Sequence, residues 1–175
     1  MQKSENALCV DQYVSYRHNG IYKILEICNR DFGGNGSKKY YLLQSVYDHN
    51  AKIYVPADTE NLPSAMKHIL TSSEINEIIA QTNQHGFEWI EDSTEREQKF
   101  SKIVESGNKK DILMLLRTLS SRKSLMAQQK KKLYSADEKL LSLAEKIISE
   151  EFAFALGIKK DEVLPYISGF KVHNS

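Results

Sequence analysis

Long apolar runs are missing from this 175-residue sequence. No stretch reaches the roughly 18 residues that a membrane helix needs, and no charged-then-apolar leader with a small-residue cleavage site is found. Neither insertion nor export is expected, and a cytoplasmic location is the default. Cysteine is scarce: Cys9 and Cys28 lie on or beside expected strands with no His or Cys at ligand spacing, so both read as reduced, packed thiols and no metal site is expected. Catalytic patterns are missing as well. His18, His49, His68, His85 and His173 are scattered over turns and termini. No Gly-x-Ser-x-Gly, His-Glu-x-x-His or paired-carboxylate arrangement falls on one element, so no catalytic residue, small-molecule substrate or cofactor is expected. Gly33-Gly34-Asn35-Gly36 is followed by neither Lys-Ser/Thr nor a helix, so it does not read as a phosphate-cradling loop.

What is present divides near residue 60. Between Asp11 and Pro56 the aromatic and β-branched residues, including most of the nine tyrosines, cluster in short runs broken by Asn19-Gly20, by the Gly-rich tip and by Asp48-His49-Asn50. This pattern predicts a small antiparallel sheet. Strands are expected around Tyr13–Arg17, Ile21–Ile27, Tyr40–Val46 and Ile53–Val55, with a positive φ at Gly20 and an end to pairing at Pro56. Four or five short strands in this length suggest an SH3-like or Tudor-like β-barrel with an exposed edge.

The remainder reads as helix. A short helix over Leu62–Leu70 enters through Pro63, and Thr71-Ser72-Ser73 caps a second with Ile75, Ile78 and Ile79 on its buried face. The acidic, aromatic passage Phe87–Asp92 reads as a hinge. Thr94 with Glu97 forms a capping box for a helix through Phe100, Ile103 and Val104 that closes at Ser106-Gly107. Asn108 caps the next, with Ile112, Leu113, Leu115, Leu116 and Leu119 inward. Ser135 with Glu138 boxes a long helix down to Gly157, and Asp161–Ile167 is the last. The expected fold is therefore α+β: a β-barrel at residues 1–60, a helical connector at 61–92, and a compact helical bundle at 93–175.

A net charge of +1 conceals segregation. Residues 71–94 carry no Lys or Arg against five Asp+Glu, whereas residues 95–132 carry eleven against four. Such a surplus is the electrostatic footprint of a polyanion-binding face, although charge alone equally suits a solvated helical face. Arg96, Lys99, Lys102, Lys109, Lys110, Arg117, Arg122 and Lys123 are the candidate phosphate contacts, and Lys130-Lys131-Lys132 lies between helices. Trp89, the single Trp, lies in the acidic, aromatic passage and reads as packed in a hydrophobic hinge.

The order of Asp11-Gln12-Tyr13-Val14-Ser15-Tyr16-Arg17-His18-Asn19-Gly20-Ile21-Tyr22-Lys23-Ile24, Lys39-Tyr40-Tyr41-Leu42-Leu43 and Ile53-Tyr54-Val55-Pro56 resembles the RNA-polymerase-interacting domain of the CarD family, which is shared with the transcription-repair coupling factor. Trp89-Ile90-Glu91-Asp92, Ser106-Gly107-Asn108, Ser135-Ala136-Asp137-Glu138 and Glu150-Glu151-Phe152-Ala153 are similar to the C-terminal domain of CarD-like regulators. No P-loop accompanies them, so the stand-alone regulator is expected rather than the coupling factor. The sequence departs from the family at Asp11-Gln12, usually Gly-Asp, and at Tyr16-Arg17, often Tyr-Pro. Gly20 is kept where His-Gly is often found. The resemblance implies that the sheet domain docks on the β subunit of bacterial RNA polymerase through Asn29, Arg30, Tyr40, Tyr41, Leu42, Leu43 and Tyr54. It also implies that the helical domain meets promoter DNA at the upstream edge of the bubble, with a Trp wedged in the minor groove. Trp89 is the candidate for that wedge and DNA contact, with packing in the hinge as the alternative, and counting back from Ser106-Gly107 the family's wedge falls nearer Ser93 or Thr94. The expected protein is a cytoplasmic, nucleoid-associated transcription regulator that stabilises the open complex. A protein-protein adaptor whose helices never touch DNA is the alternative.

Overall fold

The computed structural model describes residues 8–34, 36–59, 62–83 and 85–170. The polar lead 1–7, Asn35 of the Gly-rich tip and His173 lie outside them. By its internal contacts the chain divides into two compact units, Met1–Ile69 and Leu70–Ser175.

The first unit contains strands β1 (Tyr13–Tyr16), β2 (Ile21–Arg30), β3 (Lys38–Ser45), β4 (Lys52–Pro56) and β5 (Met66–Lys67), antiparallel in the order β4-β3-β2-β1-β5. The pairing leaves an open sheet with β4 and β5 at its edges, where the sequence suggested a barrel. Alternation sorts the side chains. Val14, Tyr22, Ile24, Tyr41, Leu43, Val55 and Met66 meet in one core. The β2–β3 register shifts between Ile24 and Glu26, so Leu25 forms a bulge that re-aims the long β2 strand. Pro56 closes β4 opposite Tyr40, on an edge, where its missing N–H does no harm.

The helix expected over Leu62–Leu70 stops early. Helix α1 spans only Leu62–Ala65, after which Met66 and Lys67 pair with Tyr16 and Ser15 as β5. The burial of Met66 in the sheet core outweighs the local helical preference.

Asp11 and Arg17, where the resemblance led to Gly and Pro being expected, have a physical account. Asp11 holds φ 68, its N–H donates to Ile24 O at 2.8 Å, and its carboxylate pairs with Lys23 Nζ at 2.7 Å. Asp tolerates this left-handed backbone better than most residues, so the bend entering β1 persists without glycine. Arg17 has φ 50 and donates its N–H to Ala65 O at 2.7 Å. Proline can satisfy neither requirement. Gly20 takes φ 102, as its place in the turn required.

The second unit packs α2 (Ser72–Gln81), α3 (Ser93–Ser106), α4 (Lys109–Gln128), α5 (Ser135–Leu156) and α6 (Lys160–Gly169) around one core that includes Ile75, Phe100, Leu115, Ile148 and Phe152. Each such side chain, fully buried, contributes about 1.5–3 kcal/mol. The ends follow local chemistry. Thr71 and Glu74 form a capping box on α2, Asn108 accepts from the N–H groups of Lys110 and Asp111, and Gly107 and Gly157 close α3 and α5 with left-handed φ of 67°.

Two expected boxes give way to other arrangements. Asp92, not Thr94, caps α3 by accepting from Glu95 N–H. Tyr134 precedes α5 with no side-chain cap, and Ser135 is already helical. Asp137, in the first turn of α5, is buried and engaged elsewhere. The passage Phe87–Asp92, read as a hinge, lies in the second unit: Phe87, Trp89 and Ile90 pack against its core.

Candidate interaction surfaces

On the first unit, the face of the sheet opposite the core carries an aromatic cluster. Tyr54 of β4 is 41 % exposed, and Tyr40 of β3 stands near it with ring centroids 6.4 Å apart. Phe32 covers both, with its centroid 5.0 Å from each. It is 60 % exposed. Asp31 shapes the turn that holds Phe32: its Oδ1 accepts from the N–H groups of Gly33 at 3.2 Å and Gly34 at 2.7 Å. Arg30 is exposed on the same face, and its pKa lies above the ordinary value, through a side-chain hydrogen bond with Cys28 first and through Tyr54 and Glu26 after it. Cys28 is half-buried, and Cys9 is exposed where a packed thiol was expected.

The strand rule divides the seven expected polymerase contacts. Arg30, Tyr40, Leu42 and Tyr54 share the outer face, and Asn29 is exposed on the other face by register. Tyr41 and Leu43 are 8 % and 0 % exposed and belong to the core. Their side chains are corrected here to packing residues, because adjacent residues of a strand must point oppositely. Phe32 was missed by sequence reasoning. A large aromatic side chain directly before a Gly-rich tip was its only signal. β4 pairs on one side only, with β3, so its other edge is an open ladder among the described residues.

On the second unit, the expected phosphate contacts separate by burial. Arg96 is 1 % exposed. Its Nε donates to Asp137 Oδ1 at 3.0 Å and Oδ2 at 3.2 Å, and its Nη2 to Oδ2 at 2.8 Å. Nη1 donates to the carbonyls of Ile90 at 2.6 Å and Glu91 at 3.2 Å. The guanidinium also lies over Trp89 and Tyr134, 4.3 and 5.6 Å from the ring centroids. Lys109 is similarly internal: 7 % exposed, it pairs with Glu151 Oε2 at 2.9 Å and donates to Gly107 O at 3.2 Å. Both are corrected from phosphate contacts to internal ties, α3 to α5 and α4 to α5, since a buried charge must be paired and hydrogen-bonded inside. The sequence signal lay in the acids: Asp137 and Glu151 sit on the buried stripe of α5.

The others reach solvent. Lys99 pairs with Glu95 at 2.7 Å, Lys123 with Glu138 at 3.7 Å, and Arg122 approaches Glu91 at 3.9 Å. Lys102 and Lys110 are exposed with no ion pair among the described residues, and Arg117 is half-buried. The segment Lys130–Lys132 is exposed beyond α4. Trp89 is half-buried, 6.4 Å from Phe100 between centroids, with Arg122 also over its ring at 4.6 Å. Entry of this ring into a DNA step would require it to leave two guanidiniums, contacts worth about 0.5–2 kcal/mol each.

No group of three His, Cys, Asp or Glu among the described residues is placed to hold a metal ion, and no helix among them is long and apolar enough to cross a membrane. In comparison with known families, residues 8–69 match the model of the CarD-like/TRCF RID domain. No curated protein matches the chain.

Proposed function

Because residues 8–69 are a CarD-like/TRCF RID domain, an RNA-polymerase-interacting module, we propose that this protein is a transcription regulator tethered to the β subunit of bacterial RNA polymerase by its first unit. The family match carries the polymerase interaction and the transcription-related role; the β subunit and the promoter are our extension. The open β4 edge supports docking by strand addition, in which main-chain hydrogen bonds supply affinity and flanking side chains supply selectivity. Phe32, Tyr40 and Tyr54, with Arg30 beside them, supply that flank, because exposed aromatics and arginine are the residue types that dominate interfaces. This module is a protein-interaction domain, not an enzyme family, and its proposed role is non-catalytic.

The second unit, in this reading, contacts promoter DNA at the upstream edge of the bubble through Lys99, Lys102, Lys110 and Lys123. Phosphate contacts of this kind position without reading sequence. Preference for melted DNA then shifts the closed-to-open equilibrium by the difference in affinity between the two forms. Co-purification with the polymerase β subunit tests the tether, and absence of retention on β would sink it. A second reading, an adaptor whose helices bind protein, is favoured by one observation: Arg96, Lys109 and Trp89 are held by internal contacts. Titration of forked DNA at several salt concentrations separates the two. The DNA reading expects affinity to fall linearly in log–log form as salt rises, and the adaptor expects no binding.

A further inference from the structure

Beside the last turns of α4, the second unit carries an open cavity of about 590 Å³ whose lining mixes apolar and cationic side chains without a single carboxylate among the described residues. Leu116 and Leu125 of α4, Leu164 of α6 and the Trp89 ring form its apolar wall, and Arg117 and Arg122 bring the charge. Neither guanidinium is compensated as Arg96 is. Arg117 has no ion pair among the described residues, and its Nε and Nη2 have neither a hydrogen-bond acceptor nor access to solvent. Nε of Arg122 is in the same state, and the carboxylate nearest that side chain, Glu91, stands 3.9 Å away and is 82 % exposed. Burial pushes the pKa of Arg117 down, the expected sign for a cation denied its counter-charge. Native proteins satisfy buried donors almost everywhere, so three unpartnered guanidinium nitrogens on two side chains of this wall mark a cationic surface that the protein itself does not neutralise.

We propose that this cavity binds an amphipathic organic anion, a carboxylate or phosphate head carried on an aliphatic or aromatic body. The volume falls in the range of small-molecule pockets, about 300–1,000 Å³. The head supplies a counter-charge to Arg117 and Arg122, both of which line the cavity, and a planar guanidinium fork suits an oxyanion. The apolar body lies against Leu116, Leu125, Leu164 and the indole. The inference stands apart from the polymerase tether, which lies in the other unit.

Trp89, the only Trp, borders the cavity and reports on it. The full chain is titrated with decanoate, with decyl phosphate and with neutral decanol while the indole emission is followed. The expected result is saturable one-to-one binding of at least one anion, at least ten times tighter than decanol. Arg117→Gln is expected to weaken that binding about tenfold. Leu125→Asp, at a rim residue 51 % exposed, is expected to weaken it by like-charge repulsion with the melting temperature unchanged, which separates loss of binding from loss of fold. Three outcomes would overturn the proposal: no saturable change with either anion, equal affinity for decanol, or unaltered binding by a folded Leu125→Asp protein. Displacement of bound decanoate by forked DNA at low salt would also count against it, by assigning these guanidiniums to a nucleic-acid backbone. Retention on the polymerase β subunit is measured in parallel and is expected to be the same for all variants.

Discussion

Arg17 illustrates how one backbone angle constrains a residue choice. At φ 50, with its N–H bonded to Ala65 O, it ties the β1–β2 turn to the end of α1. Arg17→Pro removes both the angle and the donor, and a loss of about 3 kcal/mol or more is expected in urea denaturation. Unchanged stability would mean that the turn re-forms in another geometry. Asp137 shows the same principle for charge. With Arg96 and Asp137 each 1 % exposed, Asp137→Ala leaves a guanidinium buried without its counter-ion, an expected cost of about 3–5 kcal/mol. Thermal melting followed by Trp89 emission checks both the loss and its location, because the indole rests on the same guanidinium. From the sequence, Arg96 belonged with the other cations of 95–132; nothing in charge counting distinguishes a cation that faces inward.

Among the elements, β2, β3 and β4 form the part of the sheet that carries the proposed docking face. Register places Tyr40 opposite both Cys28 and Pro56, and Tyr54 opposite Leu42, so an aromatic surface is assembled from residues far apart in sequence. Removing exposed rings should cost the fold little and the interface much. Phe32→Ala and Tyr54→Ala are each expected to weaken retention on the β subunit by about tenfold or more, in keeping with truncation of an interface hot spot, and to shift the melting temperature by only a few degrees. A control, Leu43→Ala, reports the opposite: a cavity in the core and about 2–5 kcal/mol of lost stability. Equal loss of retention from all three would argue that fold, not surface, is being read. The alternation of Tyr40-Tyr41-Leu42-Leu43 was legible as strand, but which member of each pair faces outward depended on the sheet's partners.

For the molecule as a whole, two compact units match the division of labour proposed here, a tether in the first and a phosphate-contacting surface in the second. Lys102 and Lys110 are the exposed cations without ion pairs among the described residues of α3 and α4. The double variant Lys102→Ala, Lys110→Ala is expected to lower the slope of log affinity against log salt for forked DNA by about 1–2 while leaving polymerase retention intact. Tyr54→Ala should show the converse, with DNA affinity preserved in the absence of polymerase. A variant pair that loses both activities together would contradict the assignment of one activity to each unit.

Periodicity, turn residues and caps by themselves determined the α+β class, the strands between Tyr13 and Pro56, the positive φ at Gly20 and the helix starts at Thr71 and Asn108, because each depends on neighbours within a few residues. The order of short motifs also pointed to the family of residues 8–69. Tertiary structure alone decided that the sheet is open, that Met66 and Lys67 leave a helix to pair with β1, that α5 begins without the box of Ser135 and Glu138, and that Asp137 serves Arg96. It also decided which cations are internal. These outcomes depend on contacts across tens of residues, where burial of an apolar side chain or compensation of a buried charge exceeds any local preference.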